Sequence, residues 1–206
     1  GLIADPYVEL RSDLINENSR MSTPVAGNPW PYSTASNPPK SILASVLPSQ
    51  EEGGHTTHFA VVDKWGNIVT YTTTIEQGWG TGITVPGYGF LLNNELTDFN
   101  MIPTFNPSTG NPGANDVAPF KRPRSSMSPS ILFMGNEPIA AYGSPGGAAI
   151  INTVLQITLN LIDHGMTIQE AIDAPRISVT SAVGTVSREA GFSDGVIQGL
   201  KDLGHP

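Results

Sequence analysis

Two β-branched runs, His58 to Asp63 and Ile68 to Ile75, flank the tetrapeptide Lys64-Trp65-Gly66-Asn67. Alternating branched side chains around a glycine-asparagine turn predict an antiparallel hairpin, the strongest local signal in the chain. The approach to the first run is Gly53-Gly54-His55-Thr56-Thr57. It places two threonines at a strand edge behind a conformationally permissive glycine pair. Cleavage before such a hydroxyl would expose a threonine as a new N-terminus. Taken alone, though, two threonines there are an ordinary strand start, because threonine is favoured in strands.

On either side of the hairpin the pattern changes. Residues 5 to 16 predict a short helix, with Asp5 as N-cap, Pro6 in the first turn and Val8, Leu10, Leu14 and Ile15 as an apolar face. Ser19 to Gly54 holds six prolines among Ser, Asn and Thr, which is linker composition broken only by Ile42 to Leu47. Beyond the hairpin come a glycine-rich turn, Gly78 to Gly82, and a strand-like segment, Gly89 to Leu92, ending in Asn93-Asn94-Glu95. Residues 100 to 120 read as a long loop, a length usually tied to lids or binding loops. Ser130 to Met134 and Ile139 to Ser144 predict a second hairpin around Gly135-Asn136-Glu137-Pro138. Gly146-Gly147 then opens an apolar segment, Ala148 to Ile162, expected as a buried helix stopped at Gly165. Thr167-x-x-Glu170 is a capping box for a helix reaching Pro175, and Ser193 caps a last one stopped at Gly204. Strands, loop, strands and then helices make an α+β architecture.

At 206 residues and 38% apolar content the chain can bury a substantial core. A net charge of −8 argues against nucleic acid and anionic membrane surfaces as partners. With no cysteine, disulfides, thiolate metal sites and a cysteine nucleophile are excluded. No window has the 18 apolar residues of a membrane span, and the N-terminus has neither an initiator methionine nor signal-peptide blocks. That is read as a fragment or processed product, with any targeting segment upstream.

Several residues carry chemical potential. A threonine hydroxyl needs a base, and the α-amine of the same residue can serve once it is N-terminal; here that requires cleavage between His55 and Thr56. Gly146-Gly147, between a strand and a helix, presents N–H groups suited to an oxyanion. No Lys-Ser or Lys-Thr follows it, as a P-loop would need, and Tyr142 stands where a nucleophile elbow around Ser144 wants glycine. His55-x-x-His58 lacks the further ligands of a metal site. Glu76, Glu95 and Asp98 could converge on an ammonium group. Ser125-Ser126, just after Lys121-Arg122-Pro123-Arg124, offers hydroxyls for a carboxylate.

In combination these motifs resemble the γ-glutamyltransferase (γ-glutamyltranspeptidase) family of N-terminal nucleophile hydrolases. The resemblance is carried by Thr-Thr-His-Phe-Ala-Val-Val-Asp-Lys-Trp-Gly-Asn from Thr56, by Gly80-Thr81-Gly82, and by Leu91-Leu92-Asn93-Asn94-Glu95-Leu96-Thr97-Asp98-Phe99. It continues with Lys121 to Pro129, Gly143-Ser144-Pro145-Gly146-Gly147 and Ala171 to Arg176, in the family's order. It implies the small-subunit portion of an αββα sandwich. Residues 1–55 would close the large-subunit region and linker, and 56–206 would form the small-subunit catalytic region, ending before the family's usual C-terminus.

The same resemblance implies roles. Thr56 would be the nucleophile, freed by attack of its own hydroxyl on the His55 carbonyl, and Thr74 would orient it. Gly146 and Gly147 would form the oxyanion hole. Ser125 and Ser126 would hold the substrate α-carboxylate, and Glu76, Glu95 and Asp98 its α-amino group. No cofactor or metal is implied. The partners would be a γ-glutamyl compound such as glutathione, a water or amino-acid acceptor, and the large-subunit portion of the same precursor. A secreted or periplasmic site is implied by the family only. The chain departs from many relatives in having Glu76 in place of asparagine and from some in having Ala148 in place of an arginine, and the family's α-carboxylate arginine lies in the large subunit. The loop Met101 to Phe120 matches a lid position. Two other functions stay open: a glutaryl (cephalosporin) acylase or poly-γ-glutamate depolymerase on the same scaffold, and an unprocessed fragment acting as a structural or binding domain.

Overall fold

The computed structural model describes residues 1–21, 27–34, 55–104, 113–180 and 186–205. The linker predictions at Ile42 to Leu47 and Glu51 to Gly54, and the middle of the expected lid, lie outside them.

The predicted hairpin forms from β1 (Thr56–Val62) and β2 (Ile68–Thr74), antiparallel and in unbroken register from Thr56 opposite Thr74 to Val62 opposite Ile68. Asp63 fixes its turn: the carboxylate accepts from the Trp65 N–H (2.9 Å), the Asn67 N–H (2.8 Å) and the Asn67 amide (2.7 Å). Gly66 takes the left-handed φ of 85° that the tight reversal requires.

A second hairpin pairs β3 (Ser130–Met134) with β4 (Glu137–Tyr142). Its turn is tighter than the four residues expected, because Glu137 and Pro138 already belong to β4. Pro138 sits opposite Phe133 at a register shift, where a residue with no N–H does not interrupt the ladder. Against this hairpin lies α2 (Ile150–Ile162), entered through a 3₁₀ turn at Gly147–Ala149. Tyr142, Ile150, Val154, Ile157 and Ala171 form the buried core, with Met127, Leu132 and Ala140 packed on it. The helix is not buried all round as expected: Ile151, Leu155, Leu159 and Ile162 are exposed, so only one stripe faces the core.

Helix α3 (Ile168–Asp173) crosses α2 at the fully buried Ala171 and carries the predicted reciprocal capping box of Thr167 and Glu170. It stops at Asp173, short of Pro175, because the residues before a proline favour extended backbone. Strands β5 (Ile177–Ser178) and β6 (Ser187–Arg188) form a short pair, held to α2 when the Gln156 amide donates to the Ile177 carbonyl (2.6 Å) and accepts from its N–H (2.9 Å). Helix α4 (Asp194–Asp202) has Ser193 as its N-cap, and Gly204 beyond its end takes a φ of 90°.

At the N-terminus, α1 (Asp5–Ser12) is shorter than expected, and Ala4, not Asp5, occupies the N-cap. Its anticipated apolar residues Val8, Leu10, Leu14 and Ile15 are exposed, while the buried side chain is Tyr7, packed on Tyr32 with ring centroids 5.5 Å apart. The strand expected at Gly89 to Leu92 reduces to a single bridge between Thr84 and Leu91, since no third strand is present among the described residues to pair with it.

Candidate active site

Register and alternation decide where the threonines go. On the inner face of the first hairpin Thr56 and His58 lie opposite Thr74 and Thr72. Directly opposed side chains on one face stand close enough to touch, so Thr74 is the cross-strand neighbour of Thr56. The Thr74 hydroxyl accepts the N–H of Glu76 (2.9 Å), which turns the chain sharply out of β2. Glu76 consequently holds a left-handed φ of 70°, a strained geometry for a non-glycine residue. Its buried carboxylate accepts a hydrogen bond from the Asn94 amide.

Asn94 is the local organiser of this wall. Its side-chain oxygen accepts from the Gln77 N–H (3.0 Å), and its own N–H donates to the Ile75 carbonyl (3.2 Å). The end of β2 is thereby fastened to the 3₁₀ turn Glu95–Asp98. Glu95 and Asp98 reach the site from that turn, Glu95 no longer following a strand as the segment Gly89 to Leu92 suggested.

Another part of the cavity lining comes from the segment before β3. The Ser125 hydroxyl accepts the Met127 N–H (3.2 Å), and the Ser126 hydroxyl donates to the Gly147 carbonyl (2.9 Å). That last bond ties the serine pair to the strand-to-helix turn. Gly146 and Gly147 adopt φ values of 132° and 56°, which side chains rarely tolerate, and their N–H groups precede the first helical turn.

The result is one open cavity of about 260 Å³. It is lined by Thr56 and Thr74, by Glu76, Glu95 and Asp98, and by Ser125, Ser126, Met127 and Ile150. Seven of the nine sequence-derived candidates therefore share one cavity. Gly146 and Gly147 do not line it; they stand behind the serines, joined through Ser126. Three acids and four hydroxyls, with no basic side chain among the described residues lining it, make a pocket that attracts a cationic head group.

His58 has a different role from the metal ligand considered in the sequence. Nδ1 shares a hydrogen bond with the Thr72 hydroxyl (2.9 Å), Nε2 lies 3.4 Å from the Thr70 hydroxyl, and the ring rests against Gly143 at the end of β4. Burial lowers its pKa, which favours the neutral ring. No group of three or more potential metal ligands occurs among the described residues. Sequence reasoning also missed the supports Asn94, Asn115 and Asp116. Their signal is faint, because asparagine and aspartate are common in loops for turn formation alone.

A strand that begins with threonine, a glycine turn leading into a helix, and an acid-and-hydroxyl pocket between them define an α+β protein of the N-terminal nucleophile hydrolase class. The chain belongs to the γ-glutamyltranspeptidase family, whose model matches residues 1–206. The glutathione hydrolase proenzyme of Bacillus subtilis is 46% identical over 205 residues, covering all of this chain and 33% of that protein. That of Escherichia coli K12 is 43% identical over 155 residues, 74% of this chain and 27% of the other. A mutant γ-glutamyltranspeptidase of Helicobacter pylori superposes with a TM-score of 0.64 at 42% identity, covering 72% of this chain and 82% of that one. The chain thus spans about a third of the length of the curated relatives it matches. Among the described residues no helix is long and apolar enough to cross a membrane.

Proposed function

We propose that the whole protein is a γ-glutamyl hydrolase or transferase acting on glutathione-like compounds through a threonine acyl-enzyme. The observation that carries this reading is the convergence of Thr56 with three carboxylates and two serine hydroxyls in one cavity. A γ-glutamyl group ends in an amino acid head, and such a head needs acids for its ammonium and hydroxyls for its carboxylate.

The proposed chemistry assigns these residues roles in sequence. After cleavage between His55 and Thr56, the freed α-amine takes the proton of the Thr56 hydroxyl as Oγ attacks the γ-carbonyl carbon. Gly146 and Gly147, outside the cavity lining but joined to it through Ser126, are the proposed N–H donors to the tetrahedral oxyanion. Collapse breaks the C–N bond, the amine leaves with the proton, and a γ-glutamyl ester remains on Thr56. Water or an amino-acid amine then attacks the ester and regenerates the hydroxyl. Thr74, facing Thr56 across the hairpin, orients the nucleophile. Glu76, Glu95 and Asp98 hold the ammonium, and Ser125 and Ser126 hold the carboxylate. The rest of the precursor supplies the other part of the pocket.

The test is the full-length precursor carrying Thr56→Ala. Mass spectrometry should find it intact, whereas the parent yields a piece beginning at Thr56, and release of chromophore from a γ-glutamyl anilide should fall to background. Retained release by the variant would overturn the assignment.

A further inference from the structure

Asp116 lies outside the cavity and is 2% exposed. A carboxylate removed from water needs its lone pairs satisfied, and donors from three separate positions do this. Its oxygens accept from the Asn100 amide (2.8 Å), the Thr104 N–H (2.9 and 2.8 Å), the Thr104 hydroxyl (3.0 Å) and the Gly113 N–H (2.7 Å). The approach at Gly113 is so close that a Cβ there would fall 1.8 Å from the Thr104 hydroxyl. Lys121, the nearest cation in sequence, spends its ammonium on the carbonyls of Gly113 (2.7 Å) and Asp116 (3.0 Å), not on the carboxylate. The Thr104 N–H above all, helped by the Asn100 amide, the Gly113 N–H and the Thr104 hydroxyl and opposed by burial, brings the Asp116 pKa to about 2. It is thus ionised throughout the neutral range.

The knot is wired to both walls of the cavity through the next residue back. The Asn115 amide donates to the Asp98 carbonyl (2.7 Å), and its side-chain oxygen accepts the N–H of Arg124 (2.9 Å), one position before Ser125. The Asn115 carbonyl in turn accepts the N–H of Asn100, whose side chain is bound to Asp116. One buried charge therefore holds the chain on which the Asp98 wall and the Ser125 wall are hung.

We propose that Asp116 is a positioning residue for donor recognition, setting the separation between Asp98 and Ser125-Ser126 through Asn115. This rests on the γ-glutamyl reading of the cavity. Asp116 is joined, through Asn115, to the stretches that carry Asp98 and Ser125, the residues read as holding the amino acid head. Its loss loosens the grip on the amino acid head and leaves the bond-breaking geometry in place.

The experiment compares full-length processed parent, Asp116→Asn and Asn115→Ala in γ-glutamyl anilide hydrolysis, with free L-glutamate as a competitive inhibitor. Asp116→Asn keeps the shape but turns one acceptor into a donor facing N–H groups. Asn115→Ala cuts the wiring and leaves the buried charge intact. Both should raise KM and the glutamate inhibition constant by about tenfold or more, the loss of one to two hydrogen bonds, with kcat within about twofold. An unchanged KM in Asn115→Ala overturns the proposal, and so does a fall in kcat at constant KM in either variant, which is the mark of a purely structural role. If Asp116→Asn does not fold, Asn115→Ala decides alone. Failure of the underlying reading is seen separately, as absence of γ-glutamyl hydrolysis in the parent.

Discussion

Replacing Gly143 with alanine puts a methyl carbon 2.4 Å from Cε1 and Nδ1 of His58 and 3.0 Å from its Cγ. Gly143 does not use a left-handed φ, so the added carbon is the whole perturbation. Ordinary contact begins near 3.4 Å, so ring and strand end must part by about 1 Å. The ring cannot turn freely out of the way, because Nδ1 is bonded to Thr72 (2.9 Å). Overpacking costs about 1–3 kcal/mol and a lost hydrogen bond about 0.5–1.5. Together these predict a destabilisation of roughly 2–4 kcal/mol. The assay is denaturant unfolding of the full-length protein as a double-mutant cycle with His58→Ala, which removes the obstructing ring. The cycle should show the Gly143→Ala cost relieved by about 1 kcal/mol or more in the His58→Ala background. γ-Glutamyl turnover should fall in the single variant, since Thr56 shares the inner strand face with His58. Strictly additive free energies, or a Gly143→Ala protein within about 0.5 kcal/mol of the parent, would refute the contact as the origin.

Three further outcomes follow from the packing and the titrating groups. Ile150→Ala, at a side chain 1% exposed, should cost about 2–5 kcal/mol by denaturant unfolding. Thr167→Ala should cost about 1 kcal/mol by removing the α3 cap. Because its hydrogen bonds to Thr167 hold the Glu170 pKa below 4.5, that residue's contribution is present above 4.5 and fades as pH falls. The parent should therefore lose more stability on acidification than the variant. For His58 burial lowers the folded pKa below 6.5, so the unfolded state binds the extra proton as pH drops through 6.5. Stability should decline there and level off once the folded ring protonates, and His58→Gln should abolish that slope in urea titrations between pH 7.5 and 5, values spanning roughly the ordinary histidine range.

Some of this was legible in the chain because its causes are local. Asp63, Gly66 and Asn67 define the first turn within five residues, and the Thr167-Glu170 box and Ser193 cap act within one helical turn. The resemblance named Thr74, and the register puts it opposite Thr56. The misreadings share a non-local cause. Val8 and Leu10 look like a buried stripe, yet the partner that exists is Tyr32, which selects Tyr7. Gly89 to Leu92 has strand composition, but a strand requires a neighbour. Asp116 is indistinguishable in sequence from a surface carboxylate, because its donors are spread from Asn100 to Gly113.

The first hairpin also inverts the usual rule for a half-covered sheet, and the inversion bears on the site. Its apolar residues Phe59, Val61, Val69 and Tyr71 lie about half exposed on the outer face, with Phe59 against Tyr71 at 5.5 Å between centroids. The other face carries Thr56, His58, Thr70, Thr72 and Thr74 toward Gly143 and the cavity, and Ala60, Val62 and Ile68 toward the turn. Here the Thr70 hydroxyl donates to the Tyr142 carbonyl of β4 (3.4 Å), while the His58–Thr72 bond ties the hairpin's own two strands together. Such a face supports a site because it is directional. An apolar face has no preferred direction of contact, whereas the hydrogen bonds of His58, Thr70 and Thr72 are directional. A valine in place of Thr72 would match its shape and still leave a His58 nitrogen without its partner. Polarity on this face thus ties the stability of the hairpin to the cavity that Thr56 and Thr74 line.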